Sequence, residues 1–102
     1  MRLTEHERHT LTQLARDCFG SEVIVRLFGS RLDDNQRGGD IDLLIETKLH
    51  DPARIAHAHT RLLAGIYTRL GERKVDILID YPERRHRPPI YERAYAVGMV
   101  LQ

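Results

Sequence analysis

Apolar positions along this chain switch between a helical and an extended period. Leu11, Leu14, Ala15, Cys18 and Phe19 recur at helical spacing, which predicts an amphipathic first helix. Thr4, followed three residues later by Glu7, supplies a capping box at its start, and Gly20 suits its stop. Val23, Ile24, Val25, Leu27 and Phe28 then form a β-branched, apolar run of the kind that becomes a buried strand. A second strand is expected from about Asp40 to Glu46, with Glu46 as a polar neighbour of the site or, the favoured reading, an exposed strand end. Asp51-Pro52 reads as N-cap and first turn of a long helix. Its apolar face is Ile55, Leu62, Leu63, Ile66, Tyr67 and Leu70, and Gly71 ends it. Lys74 to Asp80 is the third strand, with Val75, Ile77 and Ile79 on one face and Asp76, Leu78 and Asp80 on the other. Past Pro82, residues Ile90, Tyr91, Ala94 and Tyr95 predict a last helix, and Gly98 to Leu101 a short closing strand or tail.

Alternating strands and helices predict one α/β (α+β) domain over residues 1–102, its small sheet covered by helices mainly on one side. A composition of 41% hydrophobic and 30% charged residues is that of an ordinary globular protein. The net charge of +1 gives no general pull toward nucleic acid or membrane. No apolar run approaches the roughly 20 residues that span a bilayer. The N-terminus turns polar at once, which predicts no signal peptide, and the single cysteine fits a reducing cytoplasm. Cys18 lies on the apolar stripe and is expected in the core. His6 with His9, and His50 with His57 and His59, lack the partners and spacing of a zinc site.

The chemistry-bearing stretch is Gly29-Ser30-Arg31, then a polar loop, then Asp40-Ile41-Asp42. Alternate residues of a strand share a face, so Asp40 and Asp42 project together. Two carboxylates so close are costly without a cation or proton between them. Mg²⁺ is the natural candidate, because it takes one or two protein carboxylates and leaves positions for phosphate and water. The Gly29-Ser30 turn offers backbone N–H groups and a hydroxyl to phosphate, and Arg31-Leu32 begins a short helix. Asp33 and Asp34 sit beside Asn and Gly and read as turn-formers. Asp76 lies within an apolar strand, where a carboxylate needs compensation, either from a ligand or from a nearby arginine.

Gly29-Ser30 followed by Asp40-Ile41-Asp42 resembles the signature of the DNA polymerase beta-like nucleotidyltransferase superfamily, and in particular its minimal nucleotidyltransferases. Lys74-Val75-Asp76-Ile77 is similar to the context of that superfamily's third carboxylate. The resemblance implies a nucleotidyltransferase fold with a mixed sheet. It also implies transfer of a nucleoside monophosphate, AMP from ATP, to an acceptor hydroxyl with two Mg²⁺ ions, Mn²⁺ being able to substitute. Asp40 and Asp42 would bridge the ions, Asp76 would complete the ion nearer the acceptor, and Gly29, Ser30 and Arg31 would hold the triphosphate. Nine residues separate Ser30 from Asp40, one fewer than the commonest family spacer, and Asp34 and Gly39 replace a common Gly and Ser.

A chain of this length has no room for the fingers or thumb of a template-directed polymerase. Nucleotidyltransferases of this size commonly pair with a HEPN-domain toxin, so the resemblance implies an antitoxin that adenylylates a tyrosine of that partner. Two alternatives are a non-catalytic subunit that neutralises a helical partner by occlusion and an enzyme modifying a small-molecule hydroxyl. The Arg84-Arg85-His86-Arg87 run reads as a solvated face, or as a contact for phosphate or an acidic partner.

Overall fold

A computed structural model describes residues 3–29 and 41–102 of the chain. Helix α1 spans Glu5–Phe19. Its N-terminus closes as a reciprocal capping box, with the Glu7 N–H donating to Thr4 Oγ1 at 3.0 Å and the Thr4 N–H donating to Glu7 Oε1 at 2.9 Å. Two orphan helix donors are thereby satisfied. Strands β1 (Ile24–Phe28) and β2 (Ile41–Glu46) follow, then helix α2 (Pro52–Leu70), strand β3 (Val75–Asp80), helix α3 (Pro89–Val97) and strand β4 (Met99–Val100). Asp51 caps α2 by accepting from the Ala53 N–H at 3.1 Å.

The described strands form one mixed sheet in the order β3-β2-β1-β4. β1 runs antiparallel to both β2 and β4, whereas β2 and β3 are parallel and joined by α2. The closing segment is thus a strand, and the chain end is tied down beyond it. The Leu101 N–H donates to the Val25 carbonyl at 2.8 Å, and the Gln102 amide bridges Val25 and Val23.

Strand alternation divides the apolar residues between two faces. Val25, Leu27, Ile41, Leu43, Ile45 and Ile79 pack with Leu11, Leu14 and Ala15 of α1 and Ile55, Leu62 and Ile66 of α2 in the main core. Cys18 lies half-buried against that core. Phe28 and Leu44 point the other way and pack with Tyr91 and Ala94 of α3. Helices therefore cover both faces: α1 and α2 together on one, and α3 on part of the other.

Glu7 also links α1 to the end of α2, because Arg73 Nη1 donates to Glu7 Oε2 at 2.6 Å. Burial pushes the Glu7 carboxyl up, but hydrogen bonds from Thr4 and Arg73 outweigh it and hold the group below the ordinary value of 4.5. A carboxyl depressed in the folded state contributes stability that is present above its unfolded value and lost as pH falls through the folded one. The expected result is a melting temperature that drops as pH is lowered from about 6 to about 3, with Glu7→Gln flattening part of that slope. An unchanged slope in Glu7→Gln would remove Glu7 from the acid response.

Candidate functional site

The face of the sheet that carries α3 also carries every charged side chain of β1, β2 and β3: Arg26, Asp42, Glu46, Asp76 and Asp80. They fall into two groups at opposite ends. Asp42 and Asp76 occupy the first half of β2 and β3, while Glu46 and Asp80 are the last residues of the same strands. Four residues of strand rise separate the groups, about 13 Å.

At the first end, Asp42 and Asp76 are direct register partners on neighbouring parallel strands. Register partners on one face carry their side chains alongside one another at the strand spacing of about 4.8 Å. Asp42 is half-buried, and it also pairs across the antiparallel ladder with Phe28. Asp76 is exposed and makes no hydrogen bond or ion pair among the described residues. Gly29 follows Phe28 directly and lies against Asp42. Its φ of +81° is in the left-handed region, and a Cβ built on it would stand 3.0 Å from Asp42 Cγ and closer still to Oδ2. Two carboxylates and a glycine backbone therefore converge where β1 ends and β2 and β3 begin.

The sequence-predicted set is only partly within view. Gly29, Asp42 and Asp76 are brought together; Ser30, Arg31 and Asp40 lie outside the described residues, as do Asp33, Asp34 and the short helix expected at Arg31-Leu32. Among the described residues no three His, Cys, Asp or Glu side chains form a group that could hold a metal. The donor set nevertheless suits a hard cation. It offers paired oxygen anions beside a glycine turn.

The opposite end is a structural network that the sequence reading missed. Asp80 is only 6% exposed. Its carboxylate accepts from Arg87 Nε through both oxygens, at 2.9 and 3.0 Å, and from the Tyr95 hydroxyl. Burial and the Asp80 carboxylate together push the Tyr95 hydroxyl well above the usual phenol range. Arg26 lies over the Tyr95 ring, 4.8 Å from its centre, and pairs with Glu46 at 2.7 Å. Glu46 is therefore a paired residue rather than the exposed strand end expected. The arginine-held aspartate of β3 is Asp80, whereas Asp76 is exposed and has no arginine partner among the described residues. Arg84 is likewise structural, donating to the Ile79 carbonyl at 3.2 Å and lying over the Tyr91 ring. Within the expected basic run, then, Arg84 and Arg87 fasten the β3–α3 connection while Arg85 and His86 are exposed. The only sequence signal for this was the spacing of Asp80, Arg87 and Tyr95, which has no period of its own.

The chain matches no protein-family model and none of the curated proteins, so the reading of this site rests on its own geometry and motif.

Proposed function

We propose that the chain is a Mg²⁺-dependent nucleotidyltransferase that moves AMP from ATP onto an acceptor hydroxyl, acting in the cytoplasm. The supporting observation is the register of Asp42 with Asp76 on one face of the sheet, with Gly29 pressed against Asp42. In the reaction the acceptor oxygen bonds the α-phosphorus, the bond to the β-phosphate bridging oxygen breaks, and pyrophosphate leaves with that electron pair. The hydroxyl proton passes to solvent. Asp42 and Asp76, together with Asp40, would hold the metal, which when bound supplies Lewis-acid stabilisation of the attacking and leaving oxygens. The Gly29 turn beside Asp42 would offer backbone N–H groups to the triphosphate, and Ser30 and Arg31 continue that turn in the sequence. The acceptor that the motif resemblance favours is a tyrosine of a helical, HEPN-type partner, giving the chain an antitoxin role. The like-charge register of Asp42 with Asp76, which a bound cation would relieve, favours the enzyme over a binding-only subunit.

Nucleotide and metal are expected to bind together, since phosphate oxygens complete the cation's shell. Calorimetric titration of ATP and a non-hydrolysable analogue, with and without Mg²⁺ or Mn²⁺, measures that coupling. The expected result is at least about a tenfold gain in nucleotide affinity with metal. Equal affinities would overturn the proposal.

A further inference from the structure

The layer of α1 and α2, on the far side of the sheet from Asp42 and Asp76, contains a groove of about 440 Å³ between the end of α1 and the first half of α2. Its wall on α2 is Arg54, His57 and Arg61. At i, i+3 and i+7 these three fall within about 60° of one another around the helix and span about 10 Å along it. All are exposed, and none makes a hydrogen bond or ion pair among the described residues. Five other described arginines, Arg8, Arg26, Arg73, Arg84 and Arg87, bind carbonyls or carboxylates, whereas Arg54 and Arg61 face one groove without such a partner among the described residues. The floor is apolar, formed by Leu49, Ala58 and the half-buried Cys18, and among the described residues Asp17 is the one acid on the rim. Burial and the Asp17 carboxylate push the Cys18 thiol up, and the Arg61 guanidinium acts against that rise.

We infer that this groove docks an acidic, amphipathic segment of a partner protein, with carboxylates on Arg54 and Arg61 and an aliphatic side chain over Leu49 and Ala58. Charge complementarity sets the sign of the occupant, and the apolar floor between the cations sets its amphipathic character. A nucleic acid strand fits less well. Among the described residues no Phe, Tyr or Trp lines the groove for base stacking, and three positions cannot follow a backbone for more than a few phosphates. The inference is independent of the proposed reaction, because the groove and the Asp42–Asp76 pair lie on opposite faces of the sheet.

The test is a nitrogen-15 NMR titration of the full chain with three probes. The first is a synthetic helical peptide of about twelve residues with Glu at i, i+3 and i+7 flanking Leu; the second is its Gln-for-Glu analogue; the third is a single-stranded RNA of equal length. The expected result is that the Glu peptide shifts the amides of Cys18, Leu49, Arg54, His57 and Arg61 and slows alkylation of Cys18. The Gln analogue should bind at least about tenfold more weakly, and so should the Glu peptide to Arg54→Glu/Arg61→Glu or to the milder Arg54→Gln/Arg61→Gln. Both sites are exposed, so each double variant should keep its melting temperature. Equal binding of the Glu and Gln peptides, binding insensitive to both double variants, shifts located elsewhere, or tighter binding of the RNA would each overturn the inference.

Discussion

Asp76→Asn is expected to leave the fold and triphosphate binding in place and to abolish nucleotidyl transfer. The side chain is exposed on the outer strand of the sheet and makes no hydrogen bond or ion pair among the described residues, so the substitution breaks nothing that packing relies on. It removes one of two like charges that share a face, which slightly favours the metal-free protein. On the proposed reading it also removes a fixed anion that shares a sheet face with Asp42. Losing one preorganised electrostatic group from an active site typically costs about 3–4 kcal/mol of transition-state stabilisation, two to three decades in rate. The measurement is co-expression with the protein encoded by the adjacent reading frame, followed by intact-mass analysis for an added nucleoside monophosphate. A mass increment that survives in Asp76→Asn would mean that Asp76 is an ordinary edge-strand residue. A wild-type chain that neutralises the partner without adding mass would point instead to the binding-only alternative.

Much of the fold was legible because its elements are bounded by strong local chemistry. The Thr4–Glu7 box, the Asp51-Pro52 start and the glycines at 20 and 71 fix both long helices within a residue or so of the sequence reading. The strands were legible for a different reason: β-branched runs flanked by polar turns have few other uses. The placement of α3 on the second face was not legible. Its cause is non-local, since Tyr91, Ala94 and Tyr95 find Phe28, Leu44 and Asp80 from three different strands. The same holds for the two roles of aspartate on β3. Periodicity places Asp76 and Asp80 on one face and says nothing about which is neutralised by protein. Only the return of Arg87 and Tyr95 onto the end of the strand distinguishes them.

The candidate site divides along the same line. The motif made Gly29, Asp42 and Asp76 visible as residue types at a spacing. Their convergence depends on a register that the sequence does not encode locally. A shift of one residue between β2 and β3 would send Asp76 to the α1–α2 face and its apolar neighbours into solvent. The alternation of Val75, Ile77 and Ile79 against Ile41, Leu43 and Ile45 forbids that shift, so the main core holds the two carboxylates together.

Gly29→Ala is expected to damage stability and chemistry at once, through two separable causes. The first is backbone strain: φ at this position is +81°, where a Cβ costs about 1–2 kcal/mol. The second is contact, since that Cβ would press on the Asp42 carboxylate, 3.0 Å from Cγ and 3.3 Å from Cβ. Either the β1 end or the Asp42 side chain must then move, and both form the site. A combined loss of about 2–3 kcal/mol would lower the melting temperature by roughly 10–20 °C in a domain of this size. A double-mutant cycle with Asp42→Ala separates the causes. The strain belongs to Gly29 alone and persists in both backgrounds, whereas the carboxylate contact exists only when Asp42 is present. Gly29→Ala should therefore cost about 1 kcal/mol less in the Asp42→Ala background, measured by urea unfolding. An equal cost in both backgrounds would show that Gly29 is required for its backbone alone. No cost in either would mean that the turn is not held at positive φ, and the close approach of Gly29 to Asp42 would lose its place in the site.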